Sequence, residues 1–269
     1  MRDAAPGEAE ILVSAVTGIP RSRLFLSMQD ETGDASVRLL PLTARRAAGE
    51  PLQYILGAWD FFGREFLLSP DTLIPRPETE GLAERAVAAL RRSPSTRPLA
   101  LDVGTGSGAI AVTLAAEVPA ARVVATDILP GALRMTRENA ARHGVAARVL
   151  PVCCDLLSAL KCGVRFAVVV SNPPYVAEEE WPLLPPGVRD HEPPGALLAG
   201  RDGLSILRPL VASAARHLSP GGELWCEIGA SQGEAASSLP CGSLRPLGVI
   251  PDLAGRDRYV GWKKPERER

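Results

Sequence analysis

The sequence lacks the residues that build metal centres, disulfide frameworks and membrane spans. Its five cysteines and three histidines are scattered without a Cys-x-x-Cys pair, which argues against a zinc site and against paired disulfides. No apolar run reaches the length of about 18 residues that crosses a bilayer, and the charged N-terminus lacks the apolar middle of a signal peptide. We therefore expect no metal, no membrane partner and a cytoplasmic location.

Net charge is also nearly absent. The 30 basic and 31 acidic residues give a formal charge of -1, so no overall field attracts the chain to polyanions. We therefore expect no stable nucleic-acid binding.

The 269 residues are enough for one large domain and one small one.

Turn signals divide the first part of the chain. Between residues 8 and 50, apolar residues recur at helical spacing and are interrupted by Gly18-Ile19-Pro20 and Thr32-Gly33, which predicts a small helical domain over 1–50. Short β-type runs at 53–57 and 66–68 predict a β-hairpin linker over 51–77. Apolar residues at helical spacing then predict a helix over 78–92.

From residue 99 onward, apolar strands alternate with helices. We predict strands at 99–103, 123–126, 148–152, 166–171, 223–228, 243–250 and 258–262, and helices from 107, over 130–143 and over 204–217. Residues 219–222 predict a turn before the fifth strand. The alternation favours an α/β fold with a doubly wound, seven-stranded, mostly parallel sheet in a domain over 78–269.

A glycine-rich turn joins the first of these strands to a helix. It comprises Gly104, Thr105, Gly106, Ser107 and Gly108, where missing side chains let a ligand approach the backbone and the helix N–H groups. An adenosyl ligand is the natural occupant. The turn also matches the loose dinucleotide pattern G-x-G-x-x-G/A, so it does not choose between nucleotide cofactors.

Acidic residues follow the strands that border this turn. Asp127 ends the second strand, where its carboxylate can accept both ribose hydroxyls, although it could also be an exposed strand-end acid. Asp155 could accept the adenine amino group while Leu156 packs on the ring, or Asp155 could cap a helix. Asp102 either orients the glycine turn or meets the amino-acid end of the ligand.

The most informative motif is Asn172-Pro173-Pro174-Tyr175, which directly follows the apolar strand predicted at 166–171. Ligands bind at this edge in open α/β sheets. The two prolines fix φ and remove two backbone donors, so the motif presents one rigid, extended shape that can grip a flat amide or amino group. A strand that simply ends at a proline pair gives the same pattern.

Together these residues resemble a known family. The 102–109 turn, Asp127 and the Asn-Pro-Pro-Tyr motif are similar to class I S-adenosylmethionine-dependent methyltransferases that modify a planar nitrogen of adenine, guanine or glutamine. The segment Leu73-Ile74-Pro75-Arg76-Pro77-Glu78-Thr79-Glu80 narrows the resemblance to the release factor glutamine methyltransferases of the HemK family. Supporting matches are Glu192-Pro193, Asp202-Gly203-Leu204, Glu227-Ile228-Gly229 and Gln232-Gly233.

The resemblance implies a Rossmann-like domain that takes a methyl group from S-adenosyl-L-methionine and leaves S-adenosyl-L-homocysteine. The implied substrate is the glutamine of the Gly-Gly-Gln loop in bacterial-type peptide chain release factors, whose methylation tunes translation termination. The helical domain is expected to recognise that partner. Residues 74–78 are expected near the pocket mouth, where Arg76 either braces the segment or meets the partner.

The resemblance also implies two sets of site residues. We expect the Asn172 side-chain oxygen and the Pro173 carbonyl to accept the two N–H groups of the glutamine amide, and Tyr175 to wall the pocket. The expected catalytic set is Asn172, Pro173, Pro174 and Tyr175. The expected cofactor set is Asp102, Gly104, Thr105, Gly106, Ser107, Gly108, Asp127, Asp155, Leu156 and Asn172.

Other functions remain open from the sequence. The nearest are a glutamine methyltransferase acting on a ribosomal protein and a methyltransferase acting on an exocyclic amine of a DNA or RNA base. From different classes, a nucleotide-dependent oxidoreductase or a non-catalytic adenosyl-ligand binding module also fits the glycine-rich turn. No group suited to hydride transfer supports the oxidoreductase, and a bare binding module leaves the Asn-Pro-Pro-Tyr motif unexplained.

Overall fold

The computed structural model describes residues 7–27 and 33–266. Parts of the predicted domain ranges 1–50 and 78–269 lie outside the described residues, namely 1–6, 28–32 and 267–269. No helix within the described ranges is long and apolar enough to cross a membrane.

Short helices form the N-terminal part, as predicted. They are α1 (Glu8–Thr17), α2 (Arg21–Leu24), α3 (Ala35–Ala47) and α4 (Leu52–Leu56), with a 3-10 turn at Phe25–Ser27. Helix α1 ends at Gly18, where a φ of 72° lets the backbone N–H donate to the Ser14 carbonyl. Leu12, Leu52 and Ile55 pack together as a small core. This part therefore has its own apolar centre, separate from that of the large sheet.

A β-hairpin follows the helices. Strands β1 (Ala58–Phe61) and β2 (Arg64–Leu67) pair antiparallel. The hairpin is confirmed, but the expectation that residues 53–57 belong to a β-type run is wrong, because this stretch is helix α4 ending at Gly57. Pro51 precedes the helix and Gly57 ends it with a φ of 72°. A short apolar run has no periodicity that separates a helix from a strand, which explains the error.

The large sheet has seven strands. They are β3 (Leu99–Val103), β4 (Arg122–Asp127), β5 (Val149–Cys153), β6 (Phe166–Ser171), β7 (Leu218–Glu227), β8 (Arg245–Pro251) and β9 (Asp257–Lys263). Their order is β5-β4-β3-β6-β7-β9-β8. The pairs from β5 to β7 are parallel, and β9 pairs antiparallel with both β7 and β8. The predicted seven-stranded, mostly parallel sheet is confirmed.

Helices cover both faces of this sheet. They are α5 (Pro77–Arg92), α6 (Ala109–Glu117), α7 (Pro130–Arg142), α9 (Leu207–Ala214) and α10 (Gly233–Ser237), while the short helix α8 (Pro186–Arg189) lies in the connection between β6 and α9. One core includes Leu82 and Ala86 of α5 and Leu114 of α6, and a second core on the other face includes Leu210 of α9. Phe166 and Trp262 of the sheet belong to that second core and are fully buried. The two apolar layers fix the strand ends that carry the site.

Two predicted boundaries are wrong in informative ways. Residues 219–222, predicted as a turn, lie within β7, and the pairing of β6 with β7 shifts register there, between Phe166 and Val168. A side chain at Gly222 would place Cβ 2.9 Å from the Phe166 carbonyl oxygen, so only glycine fits this bulge. The helix predicted over 204–217 is shorter, spanning Leu207–Ala214.

Candidate active site

The site lies where the strand order reverses. Strand β3 is flanked by β4 on one side and β6 on the other, so the chain leaves this point in opposite directions. Ligands of open α/β sheets bind outside the carboxyl ends of the strands at such a switch point. A cleft of about 390 Å³ lies there. This volume is within the range of small-molecule sites.

The glycine-rich turn forms one wall of the cleft. Gly104 and Gly106 have positive φ values of 71° and 56°, and a Cβ built on either glycine would meet no atom within 4 Å. Their backbone therefore faces open space that a ligand can enter. Gly108 differs, because its Cβ would lie 3.0 Å from the Thr136 Cα. Gly108 thus permits close packing of the turn against α7 and does not line the cleft.

Asp102 supports this turn from behind. Its Oδ2 accepts hydrogen bonds from Thr105 Oγ1 at 2.7 Å and from the Ala111 backbone N–H at 3.1 Å. The side chain is buried and does not line the cleft. Burial raises the pKa of Asp102 to about 7. Of the two roles that the sequence left open, this geometry fits the one that orients the turn.

Asp127 joins the glycine turn to the end of β4. Its Oδ2 accepts from the Gly106 N–H at 2.9 Å and its Oδ1 accepts from the Leu129 N–H at 2.9 Å. A carboxylate oxygen offers two acceptor positions, so each oxygen keeps one for a ligand. The side chain lines the cleft, where two neighbouring hydroxyl groups could donate to it.

The loop after β5 forms another part of the cleft. Asp155 is exposed and Leu156 is half-buried, and both line the cleft. Leu156 has a φ of 47°, a left-handed conformation that is rare for a branched side chain. Such strain persists only where the surroundings hold the backbone, and it marks many ligand sites.

The Asn-Pro-Pro-Tyr motif follows β6 at the same edge. Asn172 Nδ2 donates to Thr79 Oγ1 at 3.2 Å, and no described residue donates to Asn172 Oδ1 or to the Pro173 carbonyl. Asn172 and Pro174 line the cleft, whereas Pro173 and Tyr175 do not. The Tyr175 hydroxyl instead donates to Glu227 Oε1 at 3.4 Å. The motif therefore presents unpaired acceptor oxygens beside the cleft.

The predicted residues thus fall into two groups. Those that line the cleft are Gly104, Thr105, Gly106, Ser107, Asp127, Asp155, Leu156, Asn172 and Pro174. Asp102, Gly108, Pro173 and Tyr175 lie behind or beside it. The sequence predictions assigned no site role to Thr79, Ile128, Cys154, Ala196 or Ile206, which also line it. Ile128 and Cys154 adjoin predicted residues, so their position along the chain could have revealed them.

Known proteins similar to this chain cover nearly all of it. The PrmC N-terminal domain model matches residues 2–57, and the Methyltransferase small domain model matches residues 87–183. A release factor glutamine methyltransferase of Cereibacter sphaeroides is 44% identical over 267 residues, covering 98% of this chain and 92% of that protein. One of Moorella thermoacetica is 42% identical over 263 residues, covering 96% and 92%.

The chain belongs to the release factor glutamine methyltransferase family. A solved methyltransferase from Pyrococcus furiosus has the same fold, with a TM-score of 0.53 and 18% identity over 83% of this chain and 98% of that chain. At that identity the likeness concerns the fold alone. The membership confirms the family resemblance that the motifs indicated.

In this methyltransferase the segment between the hairpin and α5 closes one side of the cleft. Thr72, Leu73 and Pro75 of this segment line the cleft, as does Thr79 at the start of α5. Arg76 forms an ion pair with Glu192, whose side chain is 1% exposed, and the Ile74 N–H donates to the same carboxylate at 3.4 Å. Arg76 therefore braces the segment, which is one of the two roles the sequence left open. The partner carboxylate is 116 residues away in the chain, so spacing could not reveal it.

Proposed function

We propose that this enzyme methylates the side-chain amide nitrogen of the glutamine in the Gly-Gly-Gln loop of bacterial-type peptide chain release factors. S-adenosyl-L-methionine is the methyl donor and S-adenosyl-L-homocysteine the product. The observation that carries the proposal is 44% identity to a release factor glutamine methyltransferase over 98% of this chain. Membership of this family also decides against the oxidoreductase and the bare binding module that the glycine pattern left open.

The cleft suits an adenosyl ligand. Gly104 and Gly106 leave room for a ligand against their backbone, and Asp127 retains one acceptor position on each oxygen for the two ribose hydroxyls. Asp155 and Leu156, which also line the cleft, would meet the adenine ring, and Asp102 would keep the turn in shape. When bound, S-adenosyl-L-methionine supplies an electrophilic methyl group on its sulfonium.

The substrate amide needs positioning more than activation by a base. An amide nitrogen is a poor nucleophile because its lone pair is delocalised into the carbonyl group. Asn172 Oδ1 and the Pro173 carbonyl, which have no donor among the described residues, would accept the two N–H groups and turn the lone pair toward the methyl group. The same oxygens would stabilise positive charge that develops on the nitrogen, and the extra proton can leave after transfer.

The helical domain over 1–50 is proposed to recognise the release factor outside its glutamine loop. Phe25, Leu26, Val37 and Leu40 are large apolar side chains that are between 66% and 81% exposed. Exposed apolar side chains grouped in one small domain are typical of a protein contact surface. Because release factors act during translation, we place the enzyme in the cytoplasm.

A labelling experiment tests the substrate. The protein is incubated with S-adenosyl-L-methionine carrying a labelled methyl group and, separately, with a purified release factor, with ribosomal proteins and with nucleic acid. We expect label in the release factor, on the tryptic peptide that contains the Gly-Gly-Gln loop. Label that enters only a ribosomal protein or only nucleic acid refutes the proposal and selects the corresponding alternative.

A further inference from the structure

A chain of hydrogen bonds runs from the Asn-Pro-Pro-Tyr motif into the protein interior. Asn172 Nδ2 donates to Thr79 Oγ1 at 3.2 Å, and Thr79 Oγ1 donates to Glu227 Oε2 at 2.8 Å. The Tyr175 hydroxyl donates to the other oxygen of Glu227 at 3.4 Å. The three segments that meet here are the start of α5, the end of β7 and the loop after β6.

The chemistry of these groups fixes which atom donates and which accepts in each of these hydrogen bonds. An ionised carboxylate only accepts hydrogen bonds, so Thr79 must give its single hydroxyl proton to Glu227. The Thr79 oxygen can then only accept, and its partner on Asn172 must be the NH₂ group. The Asn172 oxygen is thereby left on the other side of the amide, free for the cleft. Without such a partner the two orientations of an Asn amide are nearly equivalent in shape.

Glu227 is buried, and its surroundings shift the pKa of its carboxyl group. Its side chain is buried, with 1% of the residue exposed, and Thr79 is 4% exposed. Burial, with a smaller contribution from the neighbouring carboxylate of Glu78, raises the pKa of Glu227 to about 7, although Arg258 of β9 acts in the opposite direction. The Thr79 and Tyr175 hydroxyls also favour the ionised form by donating to it. The carboxylate therefore changes charge close to neutral pH.

We propose that Thr79 and Glu227 are positioning residues that hold the Asn172 amide with its oxygen facing the substrate. The proposal rests on the proposed function, because it assigns these residues a role only if Asn172 grips the glutamine amide. Protonated Glu227 can donate to Thr79. The Thr79 hydroxyl can then donate to Asn172, so the orientation of the Asn172 amide is no longer fixed. Orientation of Asn172 thus depends on the charge of a residue that does not line the cleft.

Substitutions at Thr79 test the hydroxyl. Thr79→Val keeps the shape and removes the hydrogen bonds, whereas Thr79→Ser keeps the hydroxyl. We expect kcat on a release factor to fall about fivefold in Thr79→Val, the factor that one typical hydrogen bond supplies, and to be largely restored in Thr79→Ser. The Kd of S-adenosyl-L-homocysteine should stay within about twofold of the parent in both, since the bond acts on the substrate amide.

Thr113→Val is the matched control. Thr113 is a buried threonine of α6 whose hydroxyl has no partner among the described residues, and it does not line the cleft. The same substitution there removes an equally buried hydroxyl without touching the chain of bonds. If kcat of Thr79→Val is no lower than that of Thr79→Ser and Thr113→Val, the positioning role of Thr79 is refuted.

The pH dependence of kcat tests the carboxylate. The parent should lose turnover as the pH falls through about 7, because Glu227 then takes up a proton. In Glu227→Gln the amide oxygen can still accept from Thr79 but cannot titrate, so this loss at low pH should disappear. A parent and a Glu227→Gln variant with the same pH profile would overturn the role of the charge.

The outcomes separate this inference from the proposed function. If the parent protein fails to methylate the release factor at all, the proposed function fails. If the parent methylates it and Thr79→Val, Thr79→Ser and Glu227→Gln behave alike, the function stands and the positioning chain is refuted.

Discussion

Removing the Asp127 carboxylate should weaken cofactor binding far more than it weakens the fold. Each oxygen of Asp127 already accepts one backbone N–H at 2.9 Å and keeps one position for a ribose hydroxyl. Asp127→Ala therefore removes two hydrogen bonds between an ionised group and the ligand. At about 1.5 kcal/mol each, the low end for such bonds because the side chain is partly exposed, the loss is about 3 kcal/mol.

That free energy corresponds to about a 150-fold higher Kd for S-adenosyl-L-methionine. The substitution also frees the N–H groups of Gly106 and Leu129, which loosens the glycine turn and adds to the loss. Isothermal titration calorimetry with S-adenosyl-L-methionine and S-adenosyl-L-homocysteine measures the effect directly. Thermal unfolding without ligand reports separately on the fold.

Asp60→Ala is the control for loss of a surface carboxylate. Asp60 is exposed on β1 and does not line the cleft. Its removal should leave the Kd within about twofold of the parent, as for other isolated surface charges. A rise of less than tenfold in the Kd of Asp127→Ala would refute the assignment of both ribose hydroxyls to this carboxylate.

Two further predictions concern the core and the turn. Phe66 of the hairpin is fully buried at 0% exposure. Phe66→Ala should therefore lower the free energy of unfolding, measured by urea titration, by about 3–5 kcal/mol. A loss below about 1 kcal/mol would contradict this packing. Burial raises the Asp102 pKa from 3.8 to about 7, so the folded state holds a proton that the unfolded state has lost. The unfolding free energy should therefore fall as pH rises from about 4 to about 7. Asp102→Asn should make this pH dependence shallower, and an unchanged pH dependence would contradict the raised pKa of Asp102.

The central strands β3 and β6 of the large sheet were predictable because they are buried on both faces. The runs 99–103 and 166–171 are apolar except for Asp102 and Ser171. They are followed by a glycine turn and by the Asn-Pro-Pro-Tyr motif, and the structure gives them the predicted bounds. Such runs, bounded by turn signals and alternating with helices, are typical of strands at the centre of a parallel sheet. The position of the glycine-rich turn was predictable as well, since it immediately follows the strand at 99–103.

Local patterns failed where long-range packing decides the conformation. Pro220, Gly221 and Gly222 have the composition of a turn, yet β7 continues through them because β6 pairs on either side of the bulge. Residues 52–56 are too few to show a helical period, and the flanking Pro51 and Gly57 determine the outcome.

The polar support of the site was also beyond the reach of the sequence. Thr79 and Glu227 are 148 residues apart, and Arg76 and Glu192 are 116 apart. No spacing rule relates residues on different elements, so only the fold shows which side chains meet. The sequence could place Asn172 at the carboxyl edge of the sheet, because its motif directly follows a strand, but it could not show which residue holds the Asn172 amide.

The turnover of Asn172→Ala on a release factor, with cofactor binding measured separately, tests whether the Asn172 oxygen holds the substrate amide. The substitution removes one of the two oxygens that would hold the glutamine amide. We expect kcat to fall by about 10²–10³, a much larger factor than any rise in the Kd of S-adenosyl-L-homocysteine, as for other preorganised polar groups that act on the reacting atoms. Turnover within a few-fold of the parent would contradict the central role of Asn172.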